Sequence, residues 1–238
     1  MKLQTSVPVC IEHRTVMDGS KYTPNFRNKA DGLELLASLP DKSIKTAFFD
    51  PQYRGVLDKL AFGNEGVKRG KARCNLAQMS TQTITEFIHE IDRVLLPSGH
   101  LFLWVDKFHL CQEVQQWLKQ TNLNLVDMVV WNKGKIGMGY RTRRKCEYLV
   151  VCQKNPVRVK DVWLVHNIPD VWEEKVPKLH PHSKPVELQK ALIKATTYEG
   201  DWVLDPASGG YSVLTACQEL NRNFIGCDIE FGETPDVA

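Results

Sequence analysis

Short apolar runs bounded by Pro, Gly and Asp alternate along the chain with longer stretches in which apolar residues recur every three or four positions. Ile44 to Phe49, His100 to Val105, Leu125 to Trp131, Glu147 to Cys152, Trp202 to Leu204 and Phe224 to Cys227 are of the first kind and read as strands. Residues 31–39, 82–96, 110–120, 186–196 and 213–220 are of the second kind and read as helices. Pro40 stops the first of these, and Pro97-Ser98-Gly99 closes the second. Strands alternating with helices predict an α/β three-layer sandwich around a mainly parallel sheet. In such sheets a ligand lies beyond the carboxyl ends of the strands. Two of the strands end there in Asp-Pro, at 50–51 and 205–206, and a third ends in Asp228.

Composition narrows this picture only a little. With 238 residues, 42% hydrophobic and 25% charged, the chain is long enough for one well-buried domain and reads as a single domain over 1–238. Two basic loops, about 54–80 and 133–145, and a small insert at about 155–180 interrupt it. Seven cysteines, an odd number without a C-x-x-C pair, favour free thiols in a reducing cytosol over a disulfide framework or a zinc site. The first residues carry no apolar signal core, and no apolar run approaches about 18 residues, so neither export nor a membrane span is expected and the cytoplasm is.

The candidate chemistry starts at a glycine turn. Asp205-Pro206-Ala207-Ser208-Gly209-Gly210 follows a strand and, with Ser212, opens a helix. The two glycines permit a positive φ and a close approach of ligand to backbone, and the amides of the helix start suit a carboxylate. Asp228 ends the next strand about twenty residues on, where an acid accepts ribose hydroxyls. The spacing is not G-x-G-x-x-G, and an Asp beside free amides fits the zwitterionic end of an amino-acid-like cofactor better than a pyrophosphate. A plain strand-to-helix turn is the bland alternative.

Five elements in order over roughly residues 30–230 resemble the β class of amino-DNA methyltransferases. Asp50-Pro51-Gln52-Tyr53 matches its Asp/Ser/Asn-Pro-Pro-Tyr/Phe tetrapeptide. Asp31-Gly32-Leu33 through Leu39-Pro40-Asp41-Lys42-Ser43 matches the acid, leucine helix and turn ahead of it. His180-Pro181-His182-Ser183-Lys184-Pro185 matches its His-Pro-x-x-Lys-Pro element. Asp205 to Gly210 matches Asp-Pro-Phe-x-Gly-x-Gly loosely, and Arg222 to Asp228 matches Arg-x-x-Ile-Gly-x-Glu/Asp. The resemblance implies a Rossmann-like fold with a seven-stranded type of sheet, S-adenosylmethionine as cofactor, and methyl transfer to the N6 amino group of a flipped-out adenine in double-stranded DNA.

It also implies roles. Asp50 and the Pro51 carbonyl would accept the two amino N–H groups, and Tyr53 would stack on the extruded base. Asp31 would approach the cofactor's adenine, Asp228 its ribose and Asp205 its ammonium, with Ser183 and Lys184 near its carboxylate and His180 holding the motif together. Two departures stand out. Gln52 replaces a second proline, and in the glycine turn Ala207 replaces Phe while Tyr211 stands where a last glycine is common.

Basic residues cluster in two glycine-containing segments, Arg54, Lys68, Arg69, Lys71 and Arg73 in one, Lys133, Lys135, Arg141, Arg143 and Arg144 in the other. Phosphate contact is their expected use, a solvated basic face the alternative. Trp131 reads as core. A second copy of the chain and a cognate restriction endonuclease are partners the resemblance suggests. Cytosine N4 methylation is the nearest rival activity, methylation of an RNA base a further one, and a catalytically silent DNA-binding or regulatory subunit the rival of a different class. Asp rather than Ser at position 50 favours adenine.

Overall fold

The computed structural model describes residues 20–52, 78–137, 142–176 and 183–234. In chain order these form β1 (Asn28–Lys29), α1 (Gly32–Ser38), β2 (Ile44–Phe49), α2 (Thr81–Val94), β3 (Leu95–Val105), α3 (Lys107–Gln112) and α4 (Val114–Trp117). There follow β4 (Leu123–Gly137), β5 (Arg144–Lys154), β6 (Val171–Glu173), α5 (Val186–Thr196), β7 (Trp202–Asp205), α6 (Ser212–Glu219) and β8 (Asn223–Asp228). The strands make one sheet in the order β1-β8-β7-β2-β3-β5-β4-β6. Every neighbouring pair is parallel except those of β5, which runs against both β3 and β4.

The apolar runs are continuous because both faces of the sheet are covered. On β3, Leu101, Leu103 and Val105 join one core with Leu35, Leu36, Ile84 and Ile88 of α1 and α2. The alternate residues Phe102 and Trp104 join the other, with Leu188 and Leu192 of α5 and Leu214 of α6. The expected three layers and mainly parallel sheet are present. The sheet has eight strands among the described residues rather than seven, because β6 adds a three-residue edge beside β4.

Four local readings change. Pro97-Ser98-Gly99 does not end α2, which passes directly into β3. Instead it bulges that strand: Ile44 and Thr46 of β2 pair with Leu95 and His100, and Ser98 sits at φ 62°. The helix expected at 110–120 breaks into α3 and α4 at Glu113, after an earlier start capped by Asp106. Strands β4 and β5 extend past the expected 125–131 and 147–152 into a hairpin reaching Gly137 and Arg144. The described part of the insert at 155–180 lies on the protein, its Trp163, Ile168, Trp172 and Val176 packed against the second core.

The sheet's order fixes where a site can form. From β7 the chain proceeds to β8 on one side, and from β2 to β3 on the other, so the switch point lies between β7 and β2. Ala47 pairs with Leu204, and Asp205 with Gly226. Asp50 and Asp228 therefore both stand two residues beyond the level of Asp205, one on each flank. No helix among the described residues is long and apolar enough to cross a membrane.

Candidate active site

A cleft of about 810 Å3, open mouth included, lies over the switch point and is lined by Asp50, Gln52, Ser183, Lys184, Asp205, Ala207, Ser208, Gly209, Gly210, Ser212 and Asp228. These come from the ends of β2, β7 and β8 and from the segments that open α5 and α6. Phe48, Trp104, Gln189, Val213 and Ile229 to Phe231 complete the wall.

On the β2 side the charges are paired. The Lys184 ammonium lies 2.9 Å from Asp50 Oδ2 and 2.9 Å from Glu147 Oε2. It also sits over the Trp104 ring, 4.8 Å from its centroid, a placement that favours a cation. Lys133 donates to the other oxygen of Glu147. Burial opposes ionisation of both Glu147 and Lys184, but their partners prevail. Lys184 and Lys133 hold the Glu147 carboxyl down at about 2, and Asp50 and Glu147 raise Lys184 above the ordinary lysine range. Two carboxylates and two ammonium groups thus alternate in a chain, Asp50–Lys184–Glu147–Lys133. Trp131, two strands over across β5, packs edge-on to Trp104 at 5.9 Å between ring centroids and is core, as its sequence position implied.

The β7–β8 side is different. Asp205 is buried and accepts one long hydrogen bond, from Ala207 N at 3.3 Å. Burial, followed by the negative charges of Asp50 and Asp228, pushes its carboxyl up from 3.8 to about 8 against the opposing pull of the Ala207 amide and, more weakly, Lys184. Asp228 is held by backbone: Gly209 N donates to one oxygen at 3.0 Å, Glu230 N and Phe231 N to the other at 2.8 Å each. Gly226 lets β8 lie close against β7 here, since a Cβ on it would come 2.4 Å from the Asp205 carbonyl oxygen.

The glycine turn explains its own departure from pattern. Gly209 takes φ 48°, and Tyr211 takes φ 57°, a conformation that glycine adopts at least cost. Tyrosine is held there by neighbours. Its hydroxyl donates to Asn28 O at 2.8 Å, the Arg27 guanidinium lies 4.9 Å over its ring, and Phe224 packs against it. Among the described residues no side chain caps α6, whose first amides adjoin the cleft through Ser212 and Val213.

Several sequence expectations land elsewhere. Asp31 is not a cleft residue: its carboxylate caps α1, accepting from Leu33 N at 2.8 Å and Glu34 N at 3.3 Å. Pro206 lies behind the wall, its carbonyl turned to the Cys227 thiol. Lys184, expected beside a cofactor carboxylate, serves Asp50 instead. Lys133, expected on phosphate, serves Glu147. Of the other expected DNA contacts, Lys135 and Arg143 are exposed and Arg144 is half-buried on the β4–β5 hairpin. Tyr53, Arg54, Lys68, Arg69, Lys71, Arg73, Arg141 and His180 lie outside the described residues. Pro51 is buried beside Gln52, whose backbone carbonyl accepts from Met79 N at 2.8 Å.

Glu147, Trp104 and Gln189 have no counterpart among the expected site residues. Glu147 alone offered a signal, as the first acid after the basic segment that ends at Lys145. Gln189 lines the cleft from α5 at 1% exposure, and its Oε1 is buried without a hydrogen-bond partner among the described residues.

Residues 44–234 match a family model described as DNA methylase, of the N6/N4 type. The type II methyltransferase M.HhaII of Haemophilus parahaemolyticus is 62% identical over 211 residues, covering 88% of this chain and 92% of its own length. The type II methyltransferase M2.MboI of Moraxella bovis is 26% identical over 223 residues, covering 83% and 80%. Two solved structures share the fold. A complex of M1.HpyAVI with SAM superposes with a TM-score of 0.62 at 18% identity, covering 86% of this chain and 93% of that one. The PvuII DNA methyltransferase, described as cytosine-N4-specific, gives 0.67 at 15% identity, covering 88% and 86%.

Proposed function

The chain belongs to the N6/N4 DNA methylase family, and from that premise we propose that it methylates the N6 amino group of adenine in double-stranded DNA, using S-adenosylmethionine. The observation that carries this reading is Asp50: a carboxylate fixed through one oxygen by Lys184 at the mouth of a cleft whose other wall holds Asp205 and Asp228.

The cleft suits the cofactor on its own chemistry. Asp205 is a buried acid with no cation in contact among the described residues, which an ammonium would complete. Asp228 is locked by three amides at a strand end where ribose hydroxyls can donate to its remaining lone pairs. The uncapped start of α6 supplies amides for a carboxylate. When bound, the cofactor supplies an electrophilic methyl group on a sulfonium sulfur.

The exocyclic amine of adenine is a weak nucleophile because its lone pair is delocalised into the ring. Asp50 counters this by accepting an amino N–H, a bond that strengthens as nitrogen becomes tetrahedral and positive. Lys184 fixes Oδ2, so the carboxylate need not reorganise when charge develops. Asp50 would also be an acceptor for the proton that the nitrogen sheds once it carries the methyl group. Glu147 keeps the neighbouring ammonium neutralised, so that Lys184 does not repel the sulfonium charge. The target base reaches Asp50 by leaving the duplex, and the β4–β5 hairpin offers Lys135, Arg143 and Arg144 to the backbone beside it.

Aspartate at position 50 favours adenine over cytosine, since the resembled class more often has serine there for cytosine N4. Nucleoside mass spectrometry of duplex DNA treated with the protein and cofactor tests this. N6-methyladenine is expected, and N4-methylcytosine in its place would transfer the activity to the other amine. Asp50→Ala should lower turnover by about 10²–10³-fold while the protein still binds cofactor. Undiminished turnover would remove Asp50 from the chemistry.

A further inference from the structure

Gln189 is placed as few glutamines are. It belongs to the apolar face of α5, between Leu188 and the Leu192–Ile193 pair that fill the second core. A hydrocarbon side chain would satisfy that packing. Gln189 instead places a carboxamide in the wall of the cleft, its oxygen buried without a donor among the described residues. An unpaired buried acceptor bears its full desolvation penalty, so a group of this kind in a binding cleft is completed by ligand.

We infer that the Gln189 carboxamide binds the amino-acid end of the cofactor, accepting from its ammonium and donating to its carboxylate. This rests on the methyltransferase reading and deepens it. The location follows from the layout of the cleft. Asp228 and the Ile229–Phe231 segment form its β8 end, where the ribose belongs. Gln189, Ser183 and Ser212 form the end where α5 and α6 begin, which leaves the amino-acid portion to them. The alternative cation for a carboxylate, Lys184, is already held by two carboxylates and lies over the Trp104 ring. A carboxamide presents a donor and an acceptor side by side, the complement of a zwitterionic α-amino acid.

The test is Gln189→Met, which keeps the length of the side chain and removes its polar atoms. Calorimetry would compare wild type and variant with three probes: S-adenosylmethionine, S-adenosylhomocysteine, and 5′-methylthioadenosine, which lacks the amino-acid end. Both full-length probes should bind the variant about tenfold more weakly, the loss expected for a hydrogen bond to a charged group. Methylthioadenosine should bind the two proteins alike. The melting temperature of the unliganded variant should be no lower, because an unpaired polar group has been removed. Unchanged affinity for S-adenosylmethionine, or an equal loss for methylthioadenosine, would overturn the assignment. Wild-type protein that binds neither full-length probe would instead overturn the methyltransferase reading.

Discussion

Asp50 and Asp205 stand at the ends of adjacent strands and line one cleft, yet their surroundings are opposite. Asp50 is ion-paired before any ligand arrives, inside a network of Lys184, Glu147 and Lys133. Asp205 has one long amide contact and two acids for neighbours, and its proton affinity is raised accordingly. The comparison separates two jobs. A group that must meet a developing charge is best fixed in advance. A group that must capture a cation can be left incomplete, because the cation then supplies the missing interaction.

The most direct way to break the contrast is to remove the cation on the finished side. Lys184→Met would leave Asp50 and Glu147 without their shared partner. Breaking such a partly buried network should cost about 3 kcal/mol of stability, read by urea unfolding, and turnover should fall by about 10²-fold. A variant that keeps wild-type turnover would show that Asp50 needs no fixing. The pH dependence of the network has a definite sign. The folded value of Glu147, about 2, lies below its ordinary 4.5. Its contribution is therefore full above the ordinary value and is lost as pH falls through about 2.

The unfinished side should respond to pH in the opposite sense. Asp205 titrates near 8 when folded and near 3.8 otherwise, so its ionisation increasingly opposes the unliganded fold as pH rises between those values. An ammonium ligand reverses that penalty by pairing with the ionised acid. Cofactor affinity should rise up to about pH 8, with proton release detected by calorimetry in buffers of different ionisation enthalpy. Asp205→Asn should abolish that slope and bind about tenfold more weakly at pH 8. A slope that survives the substitution would assign it to another group. The smallest effect is expected farthest from both acids. Lys135→Ala with Arg143→Ala should weaken DNA binding severalfold and flatten the logarithmic salt dependence by about 0.9 for each phosphate no longer neutralised, with cofactor affinity unchanged.

What the sequence disclosed follows from the range of each interaction. Strand β2 and its terminal Asp50 were legible because a six-residue apolar run closed by Asp-Pro is a local pattern. So were Gly209 and Asp228, which lie on a turn and a strand end of recognisable spacing. Glu147 shows in the sequence only as the start of a strand, because its partner Lys184 is 37 residues away and ion pairs between distant segments leave no periodicity. Asp31 carries a capping role that the motif does not announce, because one carboxylate oxygen is engaged by the local amides of α1. Tyr211 looked like an anomaly until its left-handed backbone showed why glycine is favoured there. The bulge at Ser98 and the two-residue β1 carry too few residues to announce themselves.

That short β1 has a consequence in time. It pairs Asn28 with Cys227, and the Asn28 amide also donates to Gly226 O across 198 positions of sequence. Strands β2, β3, β4 and β5, all within residues 44–154, can find one another early in synthesis. The edge that holds Asp205 and Asp228 waits for residues 202–228, and β1 has no strand to join until then. Contacts of such long separation form slowly. A ribosome-bound chain therefore carries Asp50 long before it can carry the cleft, and a polypeptide that stalls before β7 and β8 is born without one.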